Sequence, residues 1–354
     1  MKRVVVGMIV VLALAVAALT WLVVIYPTQK PEQKPSKTVA IHLQPGATLE
    51  AVAGQLHARG LLPQPSVFAL YAHVMGARTR LKQGQVLVTS QMTIRQLLQR
   101  VATGYGSTPL LITIPEGFSR FEVAQRLGEW GVCDAAAFLA ADAAPPGVEP
   151  PPPTAEGYLF PDTYWLQDGM PASQVWKKLT DNAQRRMSKL FESEAAALAQ
   201  LREQLGFGPR EVVILASIVE KEAHVPSEQP LIAGVFLNRL RDPGFKPKRL
   251  QADPTVAYGC NMRRDLASCS AFDGKRVTRV MTSDPDNPYN TYRIEGLPPT
   301  AIANPGLSAL RAVLHPAEHG FFYFVARRDG HHSFSASLAE HNVAVHGEPS
   351  SAIK

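Results

Sequence analysis

The chain reads as an α+β protein: an N-terminal apolar helix, small strand-and-helix modules, and a mixed helical and loop-rich domain with a C-terminal β-hairpin. Three observations carry that reading. Val4 to Tyr26 is an uncharged apolar run. A strand–turn–helix pattern occurs twice between Val39 and Gly131. Beyond a proline tract, Pro145 to Pro153, the pattern changes to long helices and then to loops.

The run at 4–26 is close to the ~20 residues a helix needs to cross a bilayer. It follows a short stub, residues 1–3, that holds Lys2 and Arg3, and its far end carries Trp21 and Tyr26, aromatics suited to a membrane interface. A cleaved signal peptide has a shorter apolar core and a small-residue cleavage site. The expectation is therefore an uncleaved, single-pass transmembrane anchor in the plasma membrane, with the bulk of the chain on the extracytoplasmic side. Residues 27–37, rich in Pro and Lys, are expected to form a linker.

Val39-Ala-Ile-His-Leu43 precedes a segment in which Gly46, Thr48, Val52-Ala53, Leu56 and Gly60 recur as Gly117, Ser119, Val123-Ala124, Leu127 and Gly131 after Leu110-Leu-Ile-Thr-Ile114. Each copy predicts a strand, a glycine turn, and a Ser/Thr-capped helix ended by glycine. Helices near 66–75 and 93–102 and a strand at 85–88 complete a module over 38–107 that is similar to small wall-binding modules of the LysM type. A spacer without a ligand fits the same pattern. Residues 108–154 hold the second copy and the proline-rich loop, which can join neither helix nor sheet.

Residues 155–345 are expected to form the domain that carries chemistry, with 346–354 a disordered tail. Here Gly208-Pro-Arg-Glu opens a helix whose next residues, Val212 to Val219, are almost wholly apolar. Pro209 suits a first turn, Glu211 favours the positive end of the dipole, and Pro226 stops the run. A helix apolar on nearly all sides is buried, and its last turn carries Glu220, Lys221 and Glu222. Burial raises a carboxyl above its usual ~4.3, as a general acid near neutral pH requires. Taken alone, the same residues fit an ordinary solvated helix end. A second helix, capped by Ser227, carries Asn238 and Arg239. From Arg241 to Pro305 the chain is rich in Pro, Gly, Asn and Asp, and long irregular segments tend to hold function. Leu307 to Leu314 predicts a short helix, and Phe321 to Phe334 a hairpin with an Asp-Gly turn.

Composition excludes some classes. The net charge is +6 over 354 residues, with no aromatic-studded basic face, which argues against nucleic-acid binding. Cys133, Cys260 and Cys269 match no zinc spacing. Cys260 and Cys269 flank a short polar loop and can form a disulfide in an oxidising compartment. His331, His332 and His341 read as hairpin and helix-surface residues rather than metal ligands. No metal and no cofactor is expected.

Polar and aromatic clusters follow the Glu220 helix: Asn238-Arg239, Gln251-Ala-Asp253-Pro-Thr255 with Tyr258, and Tyr289-Asn290-Thr-Tyr292. Sugar sites use this mix, because aromatic faces stack on pyranose rings while amides and hydroxyls bond their substituents. Individually each cluster also fits loop structure. Together with Ile218-Val-Glu-Lys-Glu222, Glu156-Gly-Tyr-Leu-Phe-Pro-Asp-Thr-Tyr164, Gly296-Leu-Pro-Pro299 and His341-Asn342, they make the chain resemble the endolytic murein transglycosylase family (MltG/YceG-like), in the family's order from about residue 38 to about 345. Between Gly259 and Pro288 it departs from the family's shorter loop, so substrate contacts there do not transfer.

The resemblance implies cleavage of the β-1,4 bond between N-acetylmuramic acid and N-acetylglucosamine in nascent peptidoglycan strands, leaving 1,6-anhydromuramyl ends. It places the catalytic role on Glu220, acid and then base, and substrate-binding roles on Asn238, Gln251, Asp253, Thr255, Tyr258, Tyr289, Asn290 and Tyr292. Glu222, two positions on and roughly 200° around the helix, is expected to support the site by packing or hydrogen bonding. The implied partners are peptidoglycan, the membrane and peptidoglycan synthases. Two alternatives stand beside it: a hydrolase using Glu220 with Asp253 or Glu222 and a water, and a non-catalytic wall-binding scaffold.

Overall fold

The computed structural model describes residues 2–30, 38–44, 46–77, 84–90, 92–103, 109–145, 147–167, 169–274, 276–327 and 329–346. The chain forms two compact units: Met1–Ile112 with Val123–Ala141 and Thr163–Val175, and Thr113–Glu122 with Asp142–Asp162 and Trp176–Lys354.

In the first unit α1 spans Lys2–Thr20, continues as a π turn at Trp21–Ile25 and ends in a 3-10 turn at Tyr26–Thr28. Among the described residues no helix is long and apolar enough to cross a membrane. The end of the apolar run is not a free stalk. Leu22 and Tyr26 are buried in one core with Ile41, Leu56, Phe68, Tyr71, Val86 and Val88, and the Tyr26 ring meets Tyr71 edge-on. Most of the expected linker, residues 31–37, lies outside the described residues, as does residues 347–354 of the expected tail.

The first module follows the duplicated pattern. Strand β1 (Thr38–Leu43) leads into α2 (Leu49–Ala58), whose N-cap Thr48 accepts from the Ala51 amide, and α3 (Pro65–Val74) follows. Strand β2 (Gly84–Thr89) pairs antiparallel with β1, Ile41 opposite Val86, and α4 (Ile94–Thr103) closes the unit. Alternation puts Ile41, Leu43, Val86 and Val88 on the buried face. The second copy gives β3 (Pro109–Thr113) and α5 (Arg120–Glu129). Its cap is reciprocal: the Ser119 amide donates to Glu122 at 2.7 Å, and the Glu122 amide to Ser119 Oγ. Gly131 ends α5 at φ +69°, where a Cβ would lie 2.6 Å from the Thr89 side chain, so the position admits only glycine. Helix α6 (Ala135–Ala140) follows, and β4 (Thr163–Gln167) pairs with β3. The sequence pattern alone did not predict β4, whose partner strand lies some fifty residues earlier in the chain.

In the second unit the predicted long helical region divides at Glu194 into α7 (Ala172–Ser193), entered from the first unit, and α8 (Ala195–Leu205). Helix α9 (Pro209–Glu222) starts where Pro209 predicts, with Glu211 accepting from the Gly208 amide. Val212 to Val219 are all buried, Ser217 among them. The next helix, α10 (Gln229–Arg241), starts later than expected, after a 3-10 turn at Pro226–Glu228, and Glu228 rather than Ser227 precedes it. The loop-rich stretch holds two helices the sequence reading missed, α11 (Asp253–Met262) and α12 (Arg279–Ser283). Asp253 and Pro254 form the first turn of α11. Helix α13 (Leu307–Leu314), the hairpin β5 (Tyr323–Ala326) and β6 (His332–Ser335), and α14 (Leu338–His346) complete the unit. Helix α9 packs against α10, α11 and α13. A disulfide joins Cys260 to Cys269, and Cys133 is free and buried.

Candidate active site

Glu220 sits in the last turn of α9, half-buried, where the apolar body of the helix ends. Its carboxylate accepts from the Gly306 amide at 3.1 Å. Gly306 is the N-cap of α13, so the carboxyl meets the positive end of a helix dipole. Burial pushes the Glu220 carboxyl above its ordinary value. The Gly306 amide opposes that shift, the charge on Glu116 adds to it, and Lys221 opposes it.

Two segments from elsewhere in the sequence frame this carboxyl. The Glu116–Gly117 turn is held on both sides: the Gly117 amide donates to the Asn304 carbonyl at 2.9 Å, and Lys221 Nζ donates to the Gly117 carbonyl at 3.2 Å. Gly117 has φ +74°, and a Cβ there would stand 3.5 Å from Glu220 Cγ. The Ile302–Gly306 segment is fixed by Ser217, whose hydroxyl accepts from the Ile302 amide at 3.0 Å, and by Asn304, whose side-chain Oδ1 accepts from the Leu159 amide at 2.7 Å.

Beneath both segments lies a buried ionic network. Glu156 is wholly buried, and accepts from the Arg120 amide (2.9 and 3.0 Å), Asn304 Nδ2 (3.0 Å) and the Tyr258 hydroxyl (2.9 Å). Arg120 pairs with Asp142. Burial, the leading cause, pushes the Glu156 carboxyl up to about 7 against the pull of these donors. The sequence motifs include Glu156 only as the first residue of Glu156–Tyr164 and leave out Arg120, Asp142 and any role for Glu116. A carboxylate just before the duplicated glycine was the available signal for Glu116.

Glu222 is in a different neighbourhood, as its angular offset predicts. Burial first, then the charge of Asp253, push its carboxyl up to about 8, opposed by Arg239. Asp253 is exposed and accepts from the Tyr292 hydroxyl at 2.7 Å. Beside it Gln251 is exposed with φ +51°, a left-handed backbone that few non-glycine residues adopt, pinned where its amide donates to Thr291. Strain of this kind costs of order 1–3 kcal/mol and concentrates at functional sites.

The other predicted residues bond within the protein. Asn238 donates to the carbonyls of His319 (2.8 Å) and Phe321 (3.0 Å) ahead of the hairpin. Thr255, fully buried, shares a hydrogen bond with Thr291 at 2.8 Å. Tyr289 is bonded to Thr300 at 2.8 Å. Asn290, also fully buried, donates to the carbonyls of Met281, Thr282 and Asp284. His331 and His332 both bond Glu228.

A protonatable carboxyl thus stands at the end of a packed helix, between the Glu116–Gly117 turn and the Ile302–Gly306 segment. The chain belongs to the YceG-like family, whose model matches residues 41–347. It is 28% identical over 338 residues to the endolytic murein transglycosylase of Bacillus subtilis, covering 89% of this chain and 86% of that protein. It is 27% identical over 344 residues to the endolytic murein transglycosylase of Streptococcus pneumoniae, there spanning 58% of the longer relative. A crystal structure of a YceG-like protein from Listeria monocytogenes superposes with a TM-score of 0.55 at 26% identity, covering 87% of this chain and 99% of that one.

Proposed function

We propose that this chain is an endolytic peptidoglycan lytic transglycosylase in which Glu220 acts as acid and then base. The observation that carries the reading is a half-buried carboxyl raised above its ordinary range at the end of an apolar helix, in a chain similar along most of its length to proteins named for this activity. Glu220, protonated, donates to the glycosidic oxygen as the muramyl C1–O bond breaks. The resulting carboxylate takes the proton from the muramyl C6 hydroxyl, whose oxygen closes on C1 to form the 1,6-anhydro ring. One carboxyl serves both steps, so no second obligatory carboxylate and no water is needed.

Gln251, Asp253 and Tyr292 offer polar groups toward the sugar, while Asn238, Thr255, Tyr258, Tyr289 and Asn290 serve the substrate site by fixing its walls. Glu222 supports the same wall. The LysM-like module of residues 38–107 holds the wall polymer or spaces the catalytic domain from the membrane, and the apolar run from Val4, up to Leu22 and Tyr26 where it enters the core of that module, anchors the chain with its bulk outside the cytoplasm. The Cys260–Cys269 disulfide supports an oxidising compartment. Peptidoglycan synthases are the fitting protein partners. Loss of a general acid–base group costs typically 10²–10⁴-fold. Glu220→Gln should therefore lose cleavage of glycan strands by at least ~10²-fold, with an unchanged thermal midpoint; a variant retaining full activity would place the chemistry elsewhere.

A further inference from the structure

We propose that Glu116 is a positioning residue for Glu220, with Gly306 as the contact they share. The inference rests on the proposed role of Glu220 and deepens it. Gly306 presents two faces to two carboxylates. Its amide donates to Glu220. Its Cα face is covered by Glu116, since a Cβ built there would fall 1.8 Å from Glu116 Oε1 and 2.2 Å from its carboxyl carbon. The φ of Gly306 is −76°, open to any residue, so the reason for a glycine here is the space Glu116 occupies. The turn carrying Glu116 is itself clamped, by Lys221 on the Gly117 carbonyl and by Asn304 on the Gly117 amide. Both clamps lead back to Glu220: Lys221 is its neighbour in α9, and Asn304 is two residues from Gly306.

Glu116 thereby restricts Glu220 to the orientation in which one oxygen takes the Gly306 amide and the other is left for the substrate. It also sets a like charge beside it, which favours the protonated form needed in the first step and a stronger base in the second. The charged and polar groups facing Glu220 are Glu116 from the β3–α5 turn, Lys221 from its own helix and the Gly306 amide from α13. Of these only Glu116 is anionic. Removing its charge leaves burial alone to oppose the two groups that favour ionised Glu220.

The test compares full-length wild type with Glu116→Gln by two readouts. The pH profile of kcat/KM on glycan strands should keep its shape in Glu116→Gln, with the alkaline limb displaced to lower pH and the lost rate recovered on acidification. The side-chain ¹³C titration of Glu220, assigned with Glu220→Gln, should move the same way and needs no turnover. Gly306→Ala, whose methyl group displaces the Glu116 carboxylate, should shift both readouts in the same direction. Glu116→Asp, which keeps the charge on a shorter arm, should lie between wild type and Glu116→Gln. A Glu220 titration that is unmoved or moves upward in Glu116→Gln would overturn the proposal, and a profile lowered uniformly at all pH values would do the same. Failure of the wild type to cleave glycan would instead count against the proposed function, and the titration would still decide the role of Glu116.

Discussion

Two carboxylates two residues apart in α9 have different electrostatic fates. Glu220 is raised by burial and Glu116 but moderated by a helix N-terminus; Glu222 is raised to about 8 by burial and Asp253. For Glu222 the folded value lies above the ordinary ~4.3. The fold therefore gains most from its protonated form below about 4.3, and that gain is lost as pH rises through about 8. Glu222→Gln, neutral at every pH, should flatten part of the fall in thermal midpoint across this window. A parallel curve for wild type and variant would show that Glu222 titrates normally. The same residue scale shows where sequence reading stops. The helix that carries Glu220 was legible because Pro209, an apolar run and Pro226 bracket it, whereas the role of Glu220 came from the resemblance and not from the helix. The resemblance assigns Asn238, Thr255 and Asn290 to the substrate, whereas their amides and hydroxyls by themselves suit a sugar and a backbone carbonyl equally. Only the fold reveals that each of them bonds the protein's own backbone or side chains.

Among the elements, the buried network around Glu156 ties the β3–α5 turn, α11 and the Ile302–Gly306 segment into one frame. Removing one partner of a buried ionic pair costs about 3–5 kcal/mol, because the remaining groups keep their desolvation penalty. Arg120 retains Asp142, which argues for the lower end. Glu156→Ala should lower unfolding free energy by roughly 3 kcal/mol in denaturant titration and reduce activity without contacting substrate. A loss under ~1 kcal/mol, the worth of an ordinary hydrogen bond, would remove the network from this role. The duplicated strand–turn–helix units were legible as elements, since their glycines and caps act locally. Helix α11 was hidden because Asp-Pro signals a turn start and a helix start alike. Strand β4 was hidden because its pairing with β3 joins residues some fifty positions apart.

For the whole molecule, the apolar N-terminus and the module behind it are coupled. Leu22 and Tyr26 belong to the core that contains β1, β2, α2 and α3, so the chain leaves the apolar run already folded against the first module. Deleting residues 2–20 should move the protein from the membrane to the soluble fraction while preserving the module. Deleting 2–28 should in addition destabilise it, by about 1.5–3 kcal/mol for each large apolar side chain lost from the core. A protein that stayed soluble with residues 2–20 in place would contradict the proposed anchor. The central claim is the single-carboxylate chemistry of Glu220. It is tested most directly by incubating the full-length protein with uncrosslinked glycan strands and identifying the new chain ends by mass spectrometry. The account predicts internal cleavage with 1,6-anhydromuramyl ends that disappear in Glu220→Gln; reducing muramyl ends, or anhydro ends that persist in the variant, would contradict it.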